Sequence, residues 1–222
     1  MLGSCGPFGA LPHVTRTIAS FIHWTVSQGD HLGGCRAVAA FFVENPDYFH
    51  IVHGCAPQPD EARDEIDDRL PEGWSFTRKW KIGYFDGIGA LVAMVSIVSD
   101  LLAPGVWHMG LFMVASSLRG RGIARQLHRE LEDWAAGMGA RWLRLSVVFA
   151  NVRAEGFWRA CGYVEARTRD GIELGQLRHR VRIMIKPLSW NGSQRRVKPL
   201  GHELKSLSPV PWSIFDHSGE IP

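Results

Sequence analysis

Four residues, Arg119-Gly120-Arg121-Gly122, concentrate the chemistry of this chain. They join an apolar run ending at Val114 to an amphipathic stretch that starts at Ile123. A chain that leaves a buried strand, turns through glycines and enters a helix leaves several backbone N–H groups unpaired at the positive end of the helix dipole, which makes an anion site. Gly120 and Gly122 lack Cβ, so an anion can approach the backbone, and Arg119 and Arg121 add charge beside it. Two common phosphate motifs are excluded by inspection. A P-loop needs Lys-Ser or Lys-Thr after its glycine, and no such pair stands in this stretch; the fingerprint G-x-G-x-x-G needs glycine at 125, which is Arg125. His50, His53 and Cys55 have a spacing that can bind metal on a helix, but no fourth partner is indicated, and no metal is expected.

The elements that must position this join follow from periodicity. Gly33 to Val43 suits a helix, and Asn45-Pro46 can open a second, short one. A charged helical segment lies between the prolines of "PQPDEARDEIDDRLPEG". "TRKWKIGYF" and "GALVAMVSIV" flank Asp86-Gly87, a dipeptide that tolerates positive φ at both turn positions, so a β-hairpin is expected. Val106 to Val114 reads as a largely buried strand. Beyond the join, Ile123, Leu127, Leu131, Trp134 and Met138 make one apolar helical face that stops at Gly139. "RWLRLSVVF" alternates as a strand, Asn151 caps a short helix ended by Gly162, and a last strand covers "VRIMI". Alternating strands and helices after a hairpin predict a mixed α/β sheet with helices on both faces.

The totals set bounds. A chain of 222 residues suits one domain, expected over residues 1–190, with 191–222 as a basic, poorly ordered tail. Residues 176–222 hold eight Lys/Arg against three Asp/Glu, so the net charge of +3 is assigned to the tail, which lacks the interleaved aromatics of a nucleic-acid surface. The nine tryptophans predict an aromatic-rich core. Cys5, Cys35, Cys55 and Cys161 show no paired spacing and fit a reducing cytoplasm. No secretory signal or membrane span is read, because the most apolar stretch is broken by Asp100 and Pro104.

Arg119 to Ala124 matches the pattern [QR]-x-x-G-x-[GA], and "NVRAEGFWRACGY" (Asn151 to Tyr163) matches N-x-R-A-x-x-F-[YW]-x-x-x-G-[FY]. Both are signatures of the GNAT N-acetyltransferases, and they fall here on consecutive strand–helix units over roughly residues 106–165. The chain therefore resembles that family. The resemblance implies a mostly antiparallel twisted sheet, splayed between two strands to admit the pantetheine arm of acetyl-coenzyme A. It implies that the amides of Arg119, Gly120, Arg121, Gly122, Ile123 and Ala124 hold the pyrophosphate. Phe112 would offer its amide to the thioester carbonyl, Met113 and Val114 would follow along the pantetheine, Asn151 would hydrogen-bond the pantetheine or the phosphate end unless it is a helix cap alone, and the helix with Phe157 and Trp158 would form the other wall.

By the same resemblance, His108 occupies the place of a catalytic glutamate in some members and is the candidate proton acceptor; the alternative is a partly buried histidine hydrogen-bonded to a neighbouring strand. Trp158 departs from the pattern. Many members carry tyrosine there as general acid, and indole supplies no acidic proton. The implied activity is direct acetyl transfer to a primary amine, on a small molecule or a protein. The acceptor pocket is expected between the helices from Gly33 to Leu70 and "RDGIELGQ". A homodimer is compatible with the reading; membrane and nucleic-acid partners are not expected. The alternative is a non-catalytic acyl-coenzyme A binder.

Overall fold

A computed structural model describes residues 31–67 and 75–188. In chain order the elements are α1 (His31–Glu44), α2 (Asp47–Val52), α3 (Glu61–Asp67), β1 (Lys79–Phe85), β2 (Leu91–Val98), β3 (Val106–Val114), α4 (Ile123–Gly137), β4 (Trp142–Val148), α5 (Val152–Ala160), β5 (Val164–Leu174) and β6 (Leu177–Pro187). The six strands form one sheet in the order β1-β2-β3-β4-β6-β5, in which only β3 and β4 run parallel. This is the mixed sheet that the alternation of elements predicts, and it is mostly antiparallel, as the family resemblance implies. A 3-10 turn at Ser116–Leu118 separates β3 from the glycine join. The tail expected over 191–222 lies outside the described residues, as do positions 68–73 of the charged helical segment.

The parallel pair sets the geometry of the site. β3 and β4 are in register from Val106–Trp142 to Met109–Leu145 and no further. β3 runs on to Val114, where β2 alone pairs it, and β4 runs on to Val148, where β6 alone pairs it. The two strands therefore open into a wedge beyond Met109 and Leu145. The core is apolar and aromatic: Trp80 stacks on Trp107 at 4.8 Å between ring centroids, and Trp134 meets both edge-on at 5.3 and 5.5 Å. Trp134 thus packs as its helical period predicts, whereas Met138, at the frayed end of the same face, is exposed.

Three local expectations need correction. The β1–β2 connection does not turn on Asp86-Gly87: the Asp86 carboxylate accepts from the amides of Ile88 (3.1 Å) and Ala90 (2.9 Å), and the positive φ falls on Gly89. A side-chain-closed loop replaces the two-residue turn because Asp86 is buried and must satisfy its oxygen locally. Secondly, β5 is a full strand that the sequence reading leaves out, and β6 extends well beyond "VRIMI". Thirdly, the positive charge assigned to the tail is in part a property of β6. Arg180 pairs with Asp170, Arg182 with Glu155 and Glu165, and Lys186 with Glu132.

Candidate functional site

The wedge holds a cleft of about 320 Å³. One wall is Met109 to Phe112 on β3, the other Arg144 to Val148 on β4, and Asn151, Ala154 and Trp158 of α5 border it. β3 then leads into the glycine join. Gly120 (φ +75°) and Gly122 (φ +78°) both take the left-handed conformation that favours glycine, and a Cβ on either would meet no protein atom within 4 Å. Their constraint is the backbone turn itself. The first amide to find a helical carbonyl is that of Gln126, on Gly122 at 3.1 Å. The amides of Ile123, Ala124 and Arg125 precede it and point out of the helix end, so the join has the donors that a phosphate requires.

Two contacts that periodicity does not reveal anchor this loop. The buried Asn45 side chain accepts from the Ser116 amide at 2.6 Å and donates to the Phe41 carbonyl at 2.8 Å. Asn45 therefore ties the start of the loop to α1 rather than capping α2, whose first residue follows Pro46. The Arg119 guanidinium bonds the Asp47 carboxylate and holds it below the usual carboxylate range. Arg119 thus commits its side-chain charge to α2. The only sequence signal for Asn45 is a polar residue beside an apolar helix, which a cap explains equally well.

The sequence-expected residues fall into two groups. Phe112, Asn151 and Trp158 come together at the cleft. Asn151 also caps α5, accepting from the Ala154 amide at 3.1 Å. Phe157 stacks on Phe112 at 6.0 Å, and Trp158 meets Phe112 edge-on at 5.5 Å. Met113 and Val114 are buried in the β2 ladder, opposite Met94 and Ala93. His108 stands apart from the cleft lining. Its Nδ1 lies 2.9 Å from the Arg144 guanidinium and 3.2 Å from the Arg144 carbonyl, and burial together with that guanidinium pushes its pKa well below the usual value. Protonating His108 would set one cation against another, which argues against the proton-accepting role expected of it.

Behind the aromatic wall runs a buried polar chain. The Tyr163 hydroxyl stands 3.1 Å from His128 Nε2, His128 Nδ1 faces Glu132, and Glu132 pairs with Lys186. Burial, aided by Lys186, takes His128 down to about 3, and burial pushes Tyr163 well above its ordinary value. Tyr163 lies outside the cleft lining, so it does not replace the tyrosine missing at Trp158.

A second cavity of about 230 Å³ shares Tyr48, His53 and Leu111 with the cleft and is also lined by Glu61, Asp64 and Glu65 of α3. A third, of about 200 Å³ between α1 and β1–β2, shares no lining residue with either. The expected acceptor region is thus partly present: α2 and α3 border the annex, and Ile172 and Leu174 of β5 line the cleft beside it. Among the described residues no cluster of His, Cys, Asp or Glu could hold a metal ion, and no helix is long and apolar enough to cross a membrane. Cys55 accepts from the Gln58 amide at 3.7 Å, and His53 bonds Glu61.

A sheet splayed between two parallel strands, one of which feeds a glycine loop at a helix N-terminus, defines the acyl-coenzyme A dependent N-acetyltransferase class of fold. The chain belongs to the Acetyltransferase (GNAT) family, whose model matches residues 39–163. Among solved structures it is similar to an acetyltransferase from Thermus thermophilus (21% identity, TM-score 0.56, covering 77% of this chain and 99% of that one). It is also similar to spermidine N-acetyltransferase from Vibrio cholerae, solved with CoA and spermine (15%, 0.55, 76% and 95%). A third similar structure is the ribosomal-protein-S18-alanine N-acetyltransferase from Escherichia coli (17%, 0.54, 80% and 100%). At these identities the likeness is one of fold. No curated protein matches the sequence.

Proposed function

We propose that this GNAT-family acetyltransferase moves an acetyl group from acetyl-coenzyme A to a primary amine that carries positive charge. The observation that carries the reading is the wedge, whose β3 wall leads directly into the two left-handed glycines. In this reading the amides of Arg119 to Ala124 take the pyrophosphate, the edges of β3 and β4 freed beyond Met109 and Leu145 receive the pantetheine, and the Phe112 amide faces the thioester carbonyl. Acetyl-coenzyme A supplies the activated acyl group; the chain supplies position and an oxyanion donor. Asn151 and Trp158 close the opposite side.

A cationic acceptor suits the annex, because Glu61, Asp64 and Glu65 line it beside the rings of Phe42, Tyr48 and Phe49. Spermidine and an alanine of ribosomal protein S18, named for two of the fold's neighbours, both offer amines of this kind. The test is release of free thiol from acetyl-coenzyme A across a panel of polyamines, amino acids, aminoglycosides and Ala-terminated peptides, with the product identified by mass spectrometry. Turnover with cationic amines and none with anionic ones is the expected result. One observation favours a second reading: Trp158 at the cleft cannot give the departing thiolate a proton. A chain that binds coenzyme A tightly yet releases no thiol with any amine is an acyl-coenzyme A binder.

A further inference from the structure

His53 closes α2 at its C-terminal cap. Of the histidines among the described residues, it alone lines the cofactor cleft, and it alone lines the annex. Its Nδ1 lies 3.0 Å from Glu61 Oε1, with both side chains about one-fifth exposed (22% and 23%). A carboxylate oxygen accepts, so in the neutral imidazole the proton stands on Nδ1 and the Nε2 lone pair faces away from Glu61. The backbone beneath the ring is held on several sides. The His53 carbonyl accepts from the Gln176 amide at 2.8 Å, and His179 Nε2 donates to the Val52 carbonyl at 2.8 Å. Gly175 packs so closely that a Cβ there would lie 2.6 Å from His53 Cβ. The tip of the β5–β6 hairpin therefore fixes the imidazole at the junction of the two cavities.

Asp64 of the annex is exposed, and the remaining bases nearby are committed. Glu65 bonds Lys81 at 2.5 Å and also takes the Ser96 hydroxyl. His108 faces the Arg144 guanidinium, and His128 is shut inside the core. We propose that His53 takes the proton from the acceptor's ammonium group, with Glu61 as the positioning residue that fixes its tautomer; the proposal rests on the acetyltransferase reading above. The step balances as follows. His53 Nε2 takes one proton from the ammonium, and the freed nitrogen lone pair forms the bond to the acyl carbon. The C–S bond breaks with its electron pair on sulfur, sulfur takes the second proton that nitrogen gives up, and the proton on His53 passes to water at its exposed edge. Amide, free thiol and one proton result.

The test is the pH dependence of kcat and kcat/KM with an amine found active in the panel. The charged and titratable groups that share the two cavities with His53 are Tyr48, Glu61, Asp64, Glu65, Arg144 and Arg169. His53→Gln should lower kcat roughly a hundredfold at neutral pH and recover as pH rises and the amine deprotonates unaided, with the KM for acetyl-coenzyme A unchanged. Glu61→Gln, whose amide oxygen still accepts from Nδ1, should retain more activity than Glu61→Ala. Coenzyme A affinity and the thermal midpoint report folding of each variant; a His53→Gln chain that no longer folds passes the question to His53→Asn and to the Glu61 pair. Transfer by the wild type that His53→Gln retains at every pH overturns the role alone, as does equal loss in the two Glu61 variants. Absence of transfer by the wild type to any amine overturns the acetyltransferase reading, and this role with it.

Discussion

Gly122 caps α4 at φ +78° with nothing within 4 Å of the Cβ it lacks, so substitution there tests conformation without a clash inside the protein. An L-residue in that region costs about 1–2 kcal/mol. Gly122→Ala should therefore lower stability by about 1 kcal/mol in urea titration and weaken coenzyme A roughly tenfold in calorimetry, because the relaxed loop turns its amides away from the phosphate. Unchanged affinity would detach the join from the cofactor. The join was legible in the sequence because its message is backbone-borne: glycine type and spacing report φ directly. Histidine chemistry was not. His108 and His53 look alike as letters, and what separates them is a neighbour 36 residues away on β4 in one case and a carboxylate on the next helix in the other. Neither neighbour follows from periodicity, so the letters alone do not say which histidine meets a guanidinium and which a carboxylate.

The β5–β6 hairpin is the element that the sequence hid. "VEARTRDGIEL" shows no clean alternation in the structure: the four successive residues Ala166, Arg167, Thr168 and Arg169 are all half-buried, and three of them are polar or charged. A search for alternating apolar residues therefore passes over it, whereas β3 and β4, buried on both faces, announce themselves. Its tip also makes the long-range contact that matters most here. Gly175 (φ +58°) sits against His53, and a Cβ would stand 2.7 Å from the His53 carbonyl oxygen. Gly175→Ala should destabilise the chain by about 1–3 kcal/mol and lower kcat while leaving coenzyme A affinity intact. The control is Gly87→Ala in the β1–β2 loop, where a Cβ meets nothing within 4 Å and φ lies outside the positive range; it should stay within about 0.5 kcal/mol of wild type. Equal effects of the two substitutions would mean that the hairpin tip carries no constraint on α2.

At the scale of the whole molecule, two histidines with lowered pKa values tie stability to pH. His128 is lowered to about 3 by burial and by Lys186, and His108 is lowered by burial and by Arg144. An unfolded histidine titrates near 6.5, as a rough reference. Between that pH and the folded value the unfolded chain binds more protons, so both groups contribute stability that is complete above about 6.5 and is lost as pH falls. Each contributes a slope of up to about 1.4 kcal/mol per pH unit. Glu132 acts in the opposite sense: burial raises its carboxyl, so its contribution is present at low pH and fades as pH rises through the folded value. Asp47 and Glu155, held down by Arg119 and Arg182, add a further loss only under more acid conditions, through the carboxylate range. The urea midpoint should thus fall steadily from pH 6.5 to pH 5, driven by the two histidines. His128→Leu removes one of them together with its contact to Tyr163, so the variant should start less stable at pH 7 and lose less on acidification. If its midpoint falls as steeply as that of the wild type, His128 is not held neutral by the fold, and the acid sensitivity belongs to His108 and the surface carboxylates.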